Sequence, residues 1–163
     1  MSAPILSIIG KSRSGKTTLL EKLIPLLKAK GYKVGTIKHH SHPGFEIDFP
    51  GKDTWRHAQA GSDHVVIAAP DKIASIRSLE HALPIDQIAD MMDDVDIILT
   101  DGFKRAGKPA IEVMRAEEGL EIIGDPDQLL AIATDTHLDT PVLQLDLNDL
   151  PAILQIIETQ LLR

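Results

Sequence analysis

The sequence predicts an α/β fold: a mostly parallel sheet flanked by helices, with an added hairpin and an extended arm. Three observations lead there. An apolar run, Ile5 to Ile9, leads through a glycine-bearing loop into a helix-period segment, and a second apolar run follows. Strand, loop, helix and strand in that order make a βαβ unit with parallel strands and a right-handed crossover. Further short apolar runs recur to the C-terminus, as buried strands do. The length, 163 residues, suits one domain at roughly 150 residues each, so the fold is read as a single domain over 1–163.

The elements follow in order. Ile5–Ile9 reads as a buried strand ending at Gly10. Lys16 to Lys30 reads as a helix, because Leu19, Leu20, Leu23, Leu26 and Leu27 recur at helical spacing and Gly31 stands where a helix-ending glycine belongs. Pro25 lies inside it and should kink it. Lys33 to Ile37 is the next strand. Residues 39–51, with two Pro-Gly pairs and no clean period, read as a loop or arm. Lys52 to Ala60 is a short helix. Val65–Ala69 and Ile73–Ile76, joined by Pro70-Asp71, read as a hairpin. Ile85 to Met92 is a helix, and Val95 to Thr100 a strand running into Asp101-Gly102. Ala110–Met114, Leu129–Ala133 and Val142–Leu145 are strands. A last helix starts at Asp149, a good N-cap, and carries Leu150, Ile153, Leu154, Ile157 and Leu161 on one face.

Composition narrows the function. The chain is 43% hydrophobic and 25% charged, as globular domains are, and only 3% aromatic, so its core is aliphatic. A net charge of −7 with one Trp and one Tyr argues against nucleic acid, which rewards basic patches and stacking platforms. Zero cysteines exclude disulfides, thiolate metal sites and thiol nucleophiles. The start, Met1 to Gly10, lacks the basic flank and long apolar core of a signal peptide, and no apolar stretch approaches the ~18 residues of a membrane span. The expectation is a cytoplasmic protein with no membrane partner.

Gly10-Lys11-Ser12-Arg13-Ser14-Gly15-Lys16-Thr17 fits G-x-x-x-x-G-K-[ST] at every fixed position, between a strand and a helix. The glycines let backbone N–H groups turn inward onto phosphate oxygens, and the helix N-terminus adds positive charge. Lys16 then neutralises the β- and γ-phosphates, Thr17 offers its hydroxyl to Mg²⁺, and all of Gly10 to Thr18 is read as nucleotide-binding. The fold class is accordingly P-loop NTPase-like. Lys11 follows the first glycine; it is either a lysine reaching a partner's nucleotide or an exposed lysine beside phosphates.

A phosphate loop also needs a carboxylate for Mg²⁺ or its water. Asp101 ends the strand 95–100, where ligands gather in a parallel sheet, and is the metal-side acid together with Thr17. The Asn-Lys-x-Asp reader of guanine is absent, since the only asparagine is Asn148. Asp135, after Ala133-Thr134, is a candidate contact for guanine N1–H and N2–H, or part of a turn. Lys38, His39, His40 and His42 follow the second strand; the three histidines form either a metal cluster with Asp48 or Asp53 or, with Lys38, a polar loop that contacts a ligand or partner. Trp55 is core or interface. Lys104, Arg105, Lys108 and Arg115 suggest an anionic ligand or acidic partner near the nucleotide, or a solvated loop.

Taken together, Gly10–Leu20, Ile37-Lys-His-His40, Asp48 with Pro50-Gly-Lys-Asp53, Ala60-Gly61, Ile98-Leu-Thr-Asp-Gly-Phe-Lys104, Ile111-Glu-Val-Met-Arg115 and Ile132-Ala-Thr-Asp135 occur in this order. In that set the chain resembles the MobB family, the adapters of molybdopterin-guanine dinucleotide biosynthesis, over nearly its whole length. The resemblance implies a GTP-binding, weakly hydrolytic homodimer using Mg²⁺. It would act beside the guanylyltransferase that attaches GMP to the molybdenum–pterin cofactor. It further implies that the 39–51 arm helps dimerise the protein and that the 104–115 stretch faces the pterin phosphate. Two departures stand out. Asp101 replaces the family's frequent Glu, one methylene shorter, and Arg13 stands in the loop where a small residue is usual.

Two other functions compete. A small-molecule kinase should bring an arginine-rich lid, but Arg56, Arg77, Arg105 and Arg115 are scattered. A metallochaperone-type GTPase is suggested by the histidines, although such proteins often carry cysteine ligands.

Overall fold

A computed structural model describes the chain from Ala3 to Leu162. Met1, Ser2 and Arg163, the ends of the expected 1–163 domain, lie outside the described residues, so part of the reading of the first ten residues rests outside them too. The chain divides into two compact units. One holds the chain up to His39 and again from Ile85; the other is His40–Pro84.

The first unit is a six-stranded, wholly parallel sheet. Its strands are β1 (Ile5–Ile9), β2 (Val34–Lys38), β5 (Ile97–Asp101), β6 (Ala110–Met114), β7 (Leu129–Thr134) and β8 (Gln144–Asp146), in the order β2-β5-β1-β6-β7-β8. Every residue of β1, β5 and β6 is buried, which is why these strands read as continuous apolar runs rather than alternating ones. Leu6, Ile8, Leu99, Ile111 and Val113 pack with α1 (Lys16–Ala29) and α4 (Leu150–Leu161). On the other face Ile5, Ile37 and Ile98 pack against α3 (Ile85–Ala89).

Local chemistry sets the boundaries. At the end of α1 the Gly31 amide bonds the Lys28 carbonyl at 3.0 Å and the Tyr32 amide bonds the Leu27 carbonyl at 3.1 Å. This is the Schellman arrangement, and Gly31 at φ +94° supplies the left-handed residue it requires. α1 runs unbroken through Pro25, which lies on the exposed side, where water can reach the carbonyl that loses its partner. The Asp149 carboxylate accepts from the Ala152 amide at 3.1 Å, so it caps α4 as expected. α3 stops at Ala89 rather than Met92, because the Met91 and Met92 amides turn back three residues instead of four. β5 starts at Ile97, not Val95; Asp96 is occupied in bonding the Lys33 backbone at both its own amide and its carboxylate. β8 is a short edge strand, shifted two residues beyond Val142.

The second unit holds α2 (Asp53–Gln59) and an antiparallel hairpin of β3 (His64–Ala69) and β4 (Lys72–Arg77). The register pairs Ala69 with Lys72, so Pro70-Asp71 is the turn, as the sequence indicates. Between His40 and Pro84 only Val65 is buried. Trp55 is half-buried beside a cavity of about 490 Å³ that Val65 and Ile76 also line. The 39–51 arm expected from sequence falls mostly within this larger unit. No helix among the described residues is long and apolar enough to cross a membrane.

Candidate functional site

In a parallel sheet the loops that follow the strands collect at one edge. Here Gly10 after β1, Lys38 ending β2, Asp101 ending β5, Arg115 after β6 and Asp135 after β7 stand at that edge. The loop from Gly10 to Thr17 joins β1 to α1. Gly10 has no room for a side chain: a Cβ there would lie 2.4 Å from the Val113 carbonyl oxygen and 2.6 Å from Ser14 Oγ. Gly15, at φ +100°, opens α1. Arg13 adopts φ +65°, an uncommon conformation for a residue with a Cβ, and its side chain is exposed. Ser12 and Thr18 are exposed as well, whereas Ser14 is buried and its Oγ has no hydrogen-bond partner among the described residues.

Lys16 reaches back over the loop, donating to the Gly10 carbonyl at 3.0 Å and the Lys11 carbonyl at 2.7 Å. Burial pulls its pKa below the ordinary lysine value; the Asp101 carboxylate opposes the shift and the Lys38 ammonium adds to it. Thr17 Oγ1 donates to Asp101 Oδ2 at 2.7 Å, and Lys38 Nζ lies 3.0 Å from the same oxygen. The other oxygen of Asp101, Oδ1, is buried and has no partner among the described residues. A hydroxyl and a carboxylate joined in this way, with a carboxylate oxygen to spare, are suited to Mg²⁺ and its water shell. The orphaned Ser14 and Asp101 oxygens have the donor chemistry such a ligand would satisfy.

The predicted basic stretch splits. Arg115 reaches the Gly10–Thr17 loop, where its Nε donates to the Ser14 carbonyl at 3.1 Å. Lys104 and Arg105 lie instead on the exposed segment after β5, and Lys108 pairs with Asp86 at 2.6 Å. Lys11 sits 3.5 Å from Glu121 in the same chain. Asp135 accepts the Ala116 amide at 2.9 Å through Oδ1. His39 stacks near Phe103, with ring centroids 4.5 Å apart. His40 lies against His42 and Phe45, at 6.2 and 6.0 Å, in the second unit, where exposed Asp53 begins α2. Among the described residues no group of three or more His, Asp or Glu is placed to hold a metal ion.

Sequence reasoning gave no role to Ser7 or Glu112. Both are 1% exposed inside apolar strands. A charged residue in the otherwise apolar run Ala110–Met114 was the available signal.

Residues 5–135 match the family model described as MobB, molybdopterin guanine dinucleotide synthesis protein B. The chain is 39% identical over 160 residues to the molybdopterin-guanine dinucleotide biosynthesis adapter protein of Haemophilus influenzae, covering 97% of this chain and 89% of that protein. It is 35% identical to the protein of the same description from Escherichia coli, covering 92% of this chain and 89% of the other. A crystal structure of molybdopterin-guanine biosynthesis protein B superposes with a TM-score of 0.73 at 29% identity, over 98% of this chain and 99% of that one. The structure of Bacillus subtilis MobB gives 0.70 at 25% identity, over 94% and 97%.

Proposed function

The chain belongs to the MobB family of molybdopterin guanine dinucleotide synthesis proteins, and from that premise we propose that it is a GTP-binding adapter in this biosynthesis. The observation that carries the nucleotide reading is the 2.7 Å hydrogen bond from Thr17 to Asp101 at the mouth of the Gly10–Thr17 loop. Loop amides and the start of α1 receive the phosphates. Lys16 exchanges its carbonyl partners for β- and γ-phosphate oxygens. Thr17 and Asp101 would hold Mg²⁺, which would supply positive charge to offset the phosphates. Asp135 keeps one carboxylate oxygen for the N1–H or N2–H of guanine, donors that adenine lacks. Turnover is slow at most in this reading. The Asp101 carboxylate beside the loop is bonded to Thr17 and Lys38, which suits holding a metal rather than taking a proton.

The protein acts as a cytoplasmic homodimer. What supports this is the second unit, where Phe45, Ile47, Phe49 and Ile73 are 62–75% exposed. Apolar surface of that extent marks an interface, and a second copy is the occupant the family resemblance implies. The partner enzyme is the guanylyltransferase that joins GMP to molybdopterin, and Lys104 and Arg105 face the phosphate of the pterin. The test is reconstitution. Added to purified guanylyltransferase, molybdopterin and Mg-GTP, the protein should raise the yield of the dinucleotide, and Lys16→Ala should not. No stimulation and no association with the enzyme would contradict the adapter reading. Phosphoryl transfer from ATP to a small acceptor would replace it with the kinase reading.

A further inference from the structure

The sheet face opposite α1 carries the side chains of Ile5, Ser7 and Ile9 from β1, in register with Ile98 and Thr100 on β5 and with Ala110 and Glu112 on β6. One flank of this face is covered by the cluster of Ile5, Ile37, Ile85 and Ile98. The other carries Met114, Ile132 and Leu138. Between them lies a cavity of about 350 Å³ that shares no residue with the Gly10–Thr17 loop. Ser7, Ile9 and Ala110 are its floor. Its walls come from the segment after β5 and the segment before β7.

Features of its wall, floor, rim and edge show that the cavity is built rather than left over. The wall before β7 is tied down by a buried carboxylate: Glu112 accepts the Ile123 amide at 3.0 Å and the Gly124 amide at 2.9 Å. Burying a carboxylate is costly unless its oxygens are bonded, and here the bonds fix a loop. Gly124 lies so close to the floor that a Cβ would come within 2.9 Å of Ile9 Cδ1 and 3.0 Å of Glu112 Oε2. The floor itself holds an orphan. Ser7 Oγ is buried with no hydrogen-bond partner among the described residues, in a strand whose same-face neighbours are isoleucines. The rim is basic on balance: Lys104 and Arg105 are exposed and have no ion pair among the described residues, against the one lining carboxylate of Asp125. Phe103, at the cavity edge, holds φ +64° directly after Gly102 at φ +102°. Backbone strain of this kind in a residue with a Cβ clusters at binding sites.

We propose that this cavity binds a planar heterocycle carrying an anionic group, of the pterin phosphate class, independently of the nucleotide. Ile9, Ala110 and Phe103 give a ring apolar contact. Ser7 Oγ and the Gln128 amide offer hydrogen bonds to ring nitrogens and a ring carbonyl, and Lys104 and Arg105 meet the anion. The volume suits one such molecule. The choice of pterin over other ring anions rests on the family reading above.

The test uses pterin-6-carboxylate, a fluorescent anionic pterin, titrated with the full chain. Saturable one-to-one binding is expected, weakened at least tenfold by Lys104→Ala/Arg105→Ala and by Ser7→Val. It should be unchanged in Lys16→Ala and in the presence of Mg-GTP. Because Ser7→Val alters a buried strand, the exposed Lys104/Arg105 pair decides the matter if that variant unfolds. Absence of saturable binding, insensitivity to the rim pair, or displacement by GTP, GMP or inorganic phosphate would overturn the proposal. A GTP titration of the same samples separates the two readings. Pterin binding without GTP binding faults the nucleotide assignment, and GTP binding without pterin binding faults this one.

Discussion

The unit around the parallel sheet and the unit His40–Pro84 bury their apolar residues to very different degrees. In the first, β1, β5 and β6 are buried throughout and the leucines of α1 close over one face. In the second, Val65 alone is buried, while Val66 at 49% and Ile73 at 71% exposure lie on one open face of the hairpin. A two-stranded hairpin is marginal by itself in water, and exposed isoleucines do not repay the entropy of ordering it. The first unit therefore closes a core of its own beneath the Gly10–Thr17 loop. The second leaves apolar residues exposed, which the proposed dimer would cover.

Substitutions in the two units should behave oppositely. The largest effect is expected in the sheet unit. Leu23→Ala empties a fully buried site and should cost about 2–5 kcal/mol in denaturant unfolding. Ile73→Ala in dilute, monomeric protein should change stability by less than ~0.5 kcal/mol. Equal losses would erase the contrast. Next comes the interface proposed for the second unit. Val66→Asp with Ile73→Asp should weaken self-association by at least tenfold, about 1.4 kcal/mol, in sedimentation equilibrium. GTP affinity per chain should survive, whereas a dimer of unchanged strength would move the interface elsewhere. Asp101→Asn should then lower GTP affinity about tenfold with Mg²⁺ and little without it, and equal loss in both conditions would deny it a metal role.

The smallest effect is a pH dependence. The amine of Lys16 has a lowered pKa in the free protein, chiefly from burial, and phosphates would favour its charged form. The complex then has the higher pKa, so binding takes up protons on the alkaline side. Affinity should fall as pH rises through the lowered Lys16 value, before an ordinary lysine titrates. Calorimetry in buffers of different ionisation enthalpy reads that uptake, and proton release would reverse the assignment.

Much of the first unit was legible in the sequence, because buried parallel strands are near-continuous apolar runs and the phosphate loop has fixed spacing. Gly31 and Asp149 were readable for the same reason, since each meets a local backbone need. Element ends were less so. The starts of β5 and β8 depend on Asp96 and on edge pairing, which no local pattern encodes. At the site, Lys16, Thr17 and Asp101 were named from spacing and stand together. Arg115, grouped by charge with Lys104 and Arg105, turns instead to the Ser14 carbonyl, because the end of β6 lies beside the loop in space but not in sequence. The partners of Glu112 come from residues 123 and 124, again a non-local contact.

A guanine-nucleotide site in the first unit, dependent on Lys16 and Mg²⁺, should show itself in a single titration. Isothermal titration of GTP and ATP into untagged protein, with and without Mg²⁺, tests it most directly, with Lys16→Ala as the control. The expected result is a preference for GTP, strengthened by Mg²⁺ and reduced at least 100-fold in Lys16→Ala. A preference for ATP, or binding that survives the loss of Lys16, would contradict it.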